Sequence, residues 1–363
     1  MHFRIKRLKL LNALAKATRA VSVRSPLPVL TGIKFDLQAH QLVLTGSDSD
    51  ITIQTIVDED DDLEILKEGS VVLNIVRKIN SDDIEIEIID GLLTRIKGSQ
   101  IEFNLNGTDA IEYPRIDLSK TGTHFMMNAL ALKNIISETK FAASDKETRP
   151  ILTGINFKAH DHVLEVVATD SYRLAKKIIS IDEDVTFNIT IPKLSLDEIS
   201  KIIEKDELIE LYVSERKVLF VFDKNVIQTR LIDGSYPDTA RLIPLEFDYE
   251  LDINRADLLN AIDRVSLLLN EQNNIVKLDM SSDQVLLSSY QQEIGSVEEN
   301  LSSSFYKGEP LTISFSCKYA SDAIKSFSGD KIKILFTGEM KPFIVKDFDS
   351  DELLQLVLPV RTY

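Results

Sequence analysis

One plan is written three times along this chain, and that repetition constrains the fold more than any other feature. HFRIKRLKLLNAL from His2 returns as HFMMNALALKNII from His124 and, more loosely, as YELDINRADLLNAI from Tyr249. PVLTGIKF from Pro28 returns as PILTGINF from Pro150, and GSDSD from Gly46 aligns with ATDSY from Ala168. Gly32 to Gly154 and Asp48 to Asp170 share an offset of 122, and Asn134 to Asn260 is 126. Units this long bury cores of their own, so the pattern is a duplicated domain and not a solenoid. It predicts three similar domains, at 1–120, 121–246 and 247–363, with function residing in their assembly.

The 363 residues exceed what one core serves and suit three, and 44% hydrophobic residues is ordinary for a globular protein. No run reaches the roughly 18 apolar residues of a membrane helix, and the first residues lack a signal-peptide core. The expectation is a cytoplasmic protein with no membrane partner. The single cysteine, Cys317, cannot form an internal disulfide and reads as buried filler.

The formal charge of −16 argues on its face against nucleic acid as a partner, but the charges are not evenly spread. Leu10, Leu14, Ala17 and Val21 fall on one stripe at helix spacing, while Lys9, Asn12, Lys16 and Arg19 fall on another. The middle unit repeats this with Leu132, Ile136 and Thr139 against Lys133, Ser137 and Lys140. Six helices are expected, at Leu8–Ala20, Val71–Ile79, Leu130–Ala142, Leu194–Ile203, Arg255–Leu269 and Cys317–Phe327. Together they carry twelve bases and six acids, leaving thirty bases and fifty-two acids elsewhere. Lysines on a single helix would be only a solvated face, but six helices leaning one way point to a positive surface. With a screening length of about 8 Å, such a surface feels its own charge more than distant acids.

Most of the rest alternates as strand. Ile84, Ile86 and Ile88 interleave with Glu85 and Glu87, and Asp90-Gly91 turns the chain into Leu92–Lys97. Glu207–Val213 and Lys217–Phe222 repeat the pattern, with Asn106-Gly107 and Asp233-Gly234 as further turn signals. The expected class is α+β: three similar domains, each an antiparallel sheet carrying two helices.

Catalytic chemistry finds no foothold. No Gly-Lys-Ser/Thr loop or GxGxxG follows a strand. His160 and His162 flank Asp161 at a spacing that could hold a metal, yet AHDH stands where the first repeat has a hairpin. Asp58–Asp62 lacks the glycine and ligand alternation of a calcium loop. Thr169 to Arg173 group hydroxyls and charges, but no histidine is placed to serve as base. No catalytic residue, metal or cofactor is expected.

Taken together, SVRSPLPVLTG at Ser22–Gly32, FAASDKETRPILTG at Phe141–Gly154, ATDSYRLA at Ala168–Ala175, DGSYPDTARLIP at Asp233–Pro244 and LPVRTY at Leu358–Tyr363 resemble the bacterial DNA polymerase III beta subunit family, the replicative sliding clamps. The likeness spans essentially the whole chain, and its spelling is closer to Gram-positive members. It implies a head-to-tail homodimeric ring lined by helices, through which double-stranded DNA passes held by sequence-independent phosphate contacts. Arg24, Arg149 and Lys193 are the implied DNA contacts.

The resemblance further implies a peptide-binding cleft between the middle and C-terminal domains. It would be formed by Leu152, Thr169, Tyr172, Arg173, Leu174, Pro237, Arg241, Leu242, Pro342, Phe343, Leu358, Pro359, Val360 and Arg361, apolar residues rimmed by three arginines. Its implied partners are an alpha or PolC-type DNA polymerase III, the clamp loader and other proteins bearing a clamp-binding motif. The dimer contact would join Phe103 and Leu105 of one copy to Leu267 and Leu268 of the other. The chain departs from the family near Asn74, where about six residues are missing by alignment with Pro192–Glu198. Two readings of other classes stand beside the clamp: a metal-dependent nucleic-acid enzyme and a peptide-binding scaffold that does not encircle DNA.

Overall fold

The computed structural model describes residues 1–22, 25–38, 40–67, 69–73, 81–90, 92–270, 274–302 and 304–361. Among them stand α1 (Arg7–Ala17), α2 (Ala129–Thr139), α3 (Lys193–Ile202), α4 (Arg255–Val265) and α5 (Cys317–Lys325). The strands pair antiparallel, which is the expected α+β class. Five of the six expected helices are present within a few residues of their bounds. The sixth, Val71–Ile79, is corrected at its start: Val71–Leu73 ends the strand Gly69–Leu73, paired with Ile33–Leu37. Two β-branched residues and a leucine, all buried, suit a strand's pleat better than a helix. Residues 74–79, and with them Asn74, lie outside the described residues.

The chain divides into two compact units, Met1–Leu132 with Leu194–Leu231, and Lys133–Lys193 with Ile232–Tyr363. The first holds a five-stranded sheet in the order Leu63–Lys67, His2–Lys6, Asp83–Asp90, Leu93–Lys97, Glu102–Asn106. Its eight-stranded sheet runs Thr123–Asn128, Leu208–Val213, Lys217–Phe222, Asn225–Arg230, Ile51–Asp58, Gln41–Ser47, Ile33–Gln38, Gly69–Leu73. The second unit has a nine-stranded sheet from Phe187–Pro192 through Arg173–Ser180 and Leu353–Val357 to Phe305–Lys307. Its four-stranded sheet runs Gly295–Asn300, Val285–Gln291, Ile275–Met280, Leu311–Ser316.

Each large sheet joins two repeats by the same pairing. Ile51–Asp58 of the first repeat pairs with Asn225–Arg230, the last strand of the second, and Arg173–Ser180 pairs with Leu353–Val357, the last of the third. The members left without this partner are Glu102–Asn106, the last strand of the first repeat, and Gly295–Asn300, the corresponding strand of the third. Both are sheet edges.

Helix periodicity places α1 on its sheet: Leu10, Ala13, Leu14 and Ala17 are buried in one cluster with Phe3, Phe35 and Leu44. Burial of a leucine of this kind contributes about 2 kcal/mol. Gly46 permits the approach, since a Cβ there would lie 2.0 Å from the Ala17 carbonyl oxygen. The AHDH sequence is a hairpin turn, with Asp161 and His162 at φ of 49° and 60° between Gly154–His160 and Val163–Thr169. Asn106-Gly107 is not a turn. Gly107 N–H donates to the Leu92 carbonyl at 2.9 Å and Thr108 pairs with Val72, so the ladder runs on.

Cys317 opens α5 inside the C-terminal core, and burial pushes its thiol up to about 11. Thiolate is therefore scarcer in the folded chain than in the unfolded one. Iodoacetamide alkylation at pH 8 is expected to run at least about tenfold slower on native than on urea-unfolded protein. Equal rates would show the thiol to be accessible.

Candidate peptide cleft and nucleic-acid face

The cleft residues lie in the second unit, around the pairing of Arg173–Ser180 with Leu353–Val357. Arg173 stands opposite Val357 and Leu174 opposite Leu356. The chain leaves this ladder as Leu358 N–H donates to the Tyr172 carbonyl at 3.0 Å, Pro359 bridges Phe315, and Val360 N–H donates to the Ser314 carbonyl at 2.7 Å. The C-terminal segment is thereby tied down and its side chains held in place. Leu174 and Leu358 meet in one apolar cluster with Val167, Leu335, Ile344 and Leu356, on which Tyr236, Ile243 and Phe247 pack half-buried. Pro237, Arg241, Leu242, Tyr172 and Arg361 are exposed, while Leu152 and Thr169 are buried and Pro342 half-buried.

The structure qualifies two of these residues. Phe343 is 2% exposed and packs between Phe315 and Phe336, ring centroids 5.1 and 5.6 Å away, in the C-terminal core cluster and not in the apolar cluster of Leu174 and Leu358. Arg173 is not a free rim cation. It is 8% exposed, its Nε donates to Asp170 at 3.1 Å and its Nη1 to Asp322 at 2.6 Å, and its guanidinium lies over Tyr319 at 4.5 Å and Phe141 at 5.4 Å. Charge-assisted bonds to two carboxylates and cation–π contact with two rings fix this side chain as a strut. The exposed cations of the rim are therefore Arg241 and Arg361.

Asp170 shows why the ATDSY phrase is repeated. Its Oδ1 accepts the N–H groups of Tyr172 and Arg173 at 2.9 and 3.0 Å, as Asp48 does for Asp50 and Ile51 at 2.7 and 2.8 Å. The carboxylate closes the turn between two strands. Tyr236 was missed by the sequence reading. Its hydroxyl accepts the Thr169 N–H at 3.0 Å and burial raises its pKa, so it stays protonated and fastens the segment carrying Pro237 to Leu242. The signal was available in the echo of Tyr113-Pro114 by Tyr236-Pro237. Ile243, Phe247, Tyr319 and Asp322 carried no comparable mark.

Of the implied DNA contacts, Arg24 lies outside the described residues and Arg149 is exposed before the turn Pro150–Thr153. Lys193 is engaged: its Nζ contacts the Asp145 carboxylate and the Ala143 carbonyl, and holds Asp145 below the usual carboxylate range. Helix bases are paired elsewhere too. Lys9 meets Asp60, Arg19 meets Glu198 at 3.0 Å, Lys201 meets Asp197 and Glu198, and Arg264 meets Glu299. The acid run takes part, since Asp58 pairs with Lys224 and Glu59 with His40. These contacts tie the acid run to Lys224 and to the His40 ring.

For the dimer contact, Phe103 and Leu105 sit on the edge strand Glu102–Asn106 and pack half-buried on the N-terminal core. Leu267 is 80% exposed and Leu268 half-buried, in the turn Ser266–Leu268 that follows α4 and packs beside the edge strand Gly295–Asn300. One His and acid group among the described residues, His2, Glu85 and Glu87, has the closeness of a metal site. Glu85 also bonds Arg4 and Glu87 faces Arg95, which reads as a cross-strand ion ladder.

Known proteins match this chain along its whole length. Models of the DNA polymerase III beta subunit match in order: the N-terminal domain at residues 1–117, the central domain at 126–238 and the C-terminal domain at 240–361. The Beta sliding clamps of Bacillus subtilis and Staphylococcus epidermidis are 42% and 41% identical, over all of both chains. The crystal structure of the Bacillus subtilis DNA polymerase sliding clamp superposes with a TM-score of 0.96 at 40% identity over both full chains. That of the Streptococcus pneumoniae DNA polymerase III beta chain gives 0.95 at 33%, covering 99% of this chain and 100% of that one. With three consecutive domains matched and relatives of this identity covered from end to end, the chain belongs to the DNA polymerase III beta subunit family, the beta sliding clamps.

Proposed function

We propose that this chain is a processivity clamp. Two copies close head to tail around duplex DNA, and an alpha or PolC-type DNA polymerase III, the clamp loader and other motif-bearing proteins dock through a short peptide at the Leu174–Leu358 cleft. The observation that carries this reading is the full-length likeness to Beta sliding clamps. The strand pairing supports closure. The link that joins first to second and second to third repeat leaves one strand of each kind open, and those two edges complete the series if they meet across copies. Leu174, Leu358 and their neighbours supply an apolar floor for a peptide's apolar side chains, and Arg241 and Arg361 suit an acidic flank.

A clamp that surrounds its substrate holds by topology. Protein loaded on a nicked circular plasmid is expected to stay bound through gel filtration at 0.5 M salt and to be lost once the circle is cut. Equal retention on linear DNA, or none on circles, contradicts encirclement and favours the peptide-binding scaffold. Turnover of DNA with Mg²⁺ or Mn²⁺, abolished by one Asp substitution, would favour the enzyme reading.

A further inference from the structure

The backbone that forms the cleft in the second unit is formed again in the first. Leu358 N–H donates to the Tyr172 carbonyl at 3.0 Å, and Arg230 N–H donates to the Asp50 carbonyl at 2.9 Å. Leu174 stands opposite Leu356 across the joining pair of strands, and Thr52 stands opposite Gln228. The turn carboxylates Asp170 and Asp48 hold the same two N–H groups. Tyr236 closes one cleft through Thr169, and Tyr113 closes the other by donating to the Thr45 carbonyl at 3.3 Å. The first unit thus carries an open groove of about 300 Å³, lined by Leu27, Leu30 and Ile116 together with Thr52, Gln228 and Arg230.

The two linings differ in one direction. Val167, Leu174, Leu356 and Leu358 of the apolar cluster fall, register for register, on Thr45, Thr52, Gln228 and Arg230, and Tyr172 falls on Asp50. A leucine docking on the first lining would strip water from a glutamine and a guanidinium and return no hydrogen bond, at roughly tenfold in affinity for each group. Gln228 Oε1 is already buried without a hydrogen-bond partner among the described residues.

We propose that Asp50, Thr52, Gln228 and Arg230 are specificity-determining residues: they close the first groove to the apolar peptides that the second cleft takes, so that each chain binds one such peptide and not two. This rests on the cleft reading given above. The backbone supports conversion, because Ser47 Oγ, which bonds Thr52 Oγ1 at 2.7 Å, retains the Asp48 carbonyl at 3.0 Å when Thr52 is replaced.

The test is calorimetric titration of the full chain with a synthetic peptide of apolar residues flanked by acids. One peptide per chain is expected for the wild type. Two are expected for the combined variant Asp50→Tyr, Thr52→Leu, Gln228→Leu and Arg230→Leu, the second site within about tenfold of the first. Two sites in the wild type, or one in a variant whose thermal melt matches the wild type, overturns the proposal. Should the combined variant fail to fold, the reciprocal Leu358→Arg carries the test. Placing the first groove's residue in the second cleft is expected to weaken binding on the order of 100-fold, and unchanged affinity overturns the proposal. A wild type that binds no peptide at all removes the cleft reading itself, and this inference with it.

Discussion

Truncating Phe343 to alanine is expected to destabilise the second unit by about 4 kcal/mol, seen as a lower midpoint in urea with the early loss confined to that unit. The ring is closed in between Phe315 and Phe336, and its strand Phe343–Asp347 joins Lys331–Phe336 to Leu353–Val357. Removing it leaves a cavity that three strands cannot collapse around. Phe343→Leu keeps most of the volume and should cost about 1 kcal/mol. That milder variant separates core from cleft. If Phe343 only supports the fold, peptide affinity in Phe343→Leu stays within about threefold of wild type. A larger loss with stability preserved would return the ring to the cleft lining.

The distinction was not legible in the sequence. Pro342-Phe343 carries no mark telling a lining phenylalanine from a core one, because both are apolar and the run Pro342 to Val345 is apolar throughout; only the register against Val357 and the tilted rings of Phe315 and Phe336 show where this ring packs. What could be read were features with local causes. The turn carboxylates Asp48 and Asp170 recur because two backbone N–H groups need an acceptor there. The stripe of Leu10, Leu14 and Ala17 recurs because one face of α1 is covered. Features with nonlocal causes were missed or misjudged. Arg173 read as a rim cation because its partner Asp322 lies 149 positions away. Val71–Leu73 read as helix because their strand partner, Ile33–Phe35, lies 38 residues upstream.

Charge shows the same divide. The excess of bases on helices is a fact of composition, but Lys9, Arg19, Lys201 and Arg264 each lie against a carboxylate. Exposed pairs of this kind contribute little stability and open readily, so they still leave the bases able to exchange a carboxylate for a phosphate. A helix surface of this composition would attract DNA weakly and without sequence preference, which sliding requires.

The last large effect is expected at the two open edges. In Glu102–Asn106, Gly107 donates inward to Leu92, and alternation of the antiparallel ladder leaves the backbone of Asn104 and Asn106 facing outward. Asn104→Pro removes one outward N–H while leaving the inward ladder intact. Leu267→Asp places a carboxylate at an apolar contact, in a side chain so exposed that the isolated chain should tolerate it. Each change is expected to cost about 3 kcal/mol of dimer affinity, and together they should convert the assembly to single chains of 40.9 kDa by light scattering, with thermal stability of the chain little changed. Retention on nicked circles should then vanish, because a ring open at both junctions has no topological hold, while peptide binding at the Leu174–Leu358 cleft, which lies wholly within one chain, should persist within about twofold. A variant that stays dimeric would place the interface elsewhere. A monomer that keeps its grip on circular DNA would show that the hold is chemical and not topological.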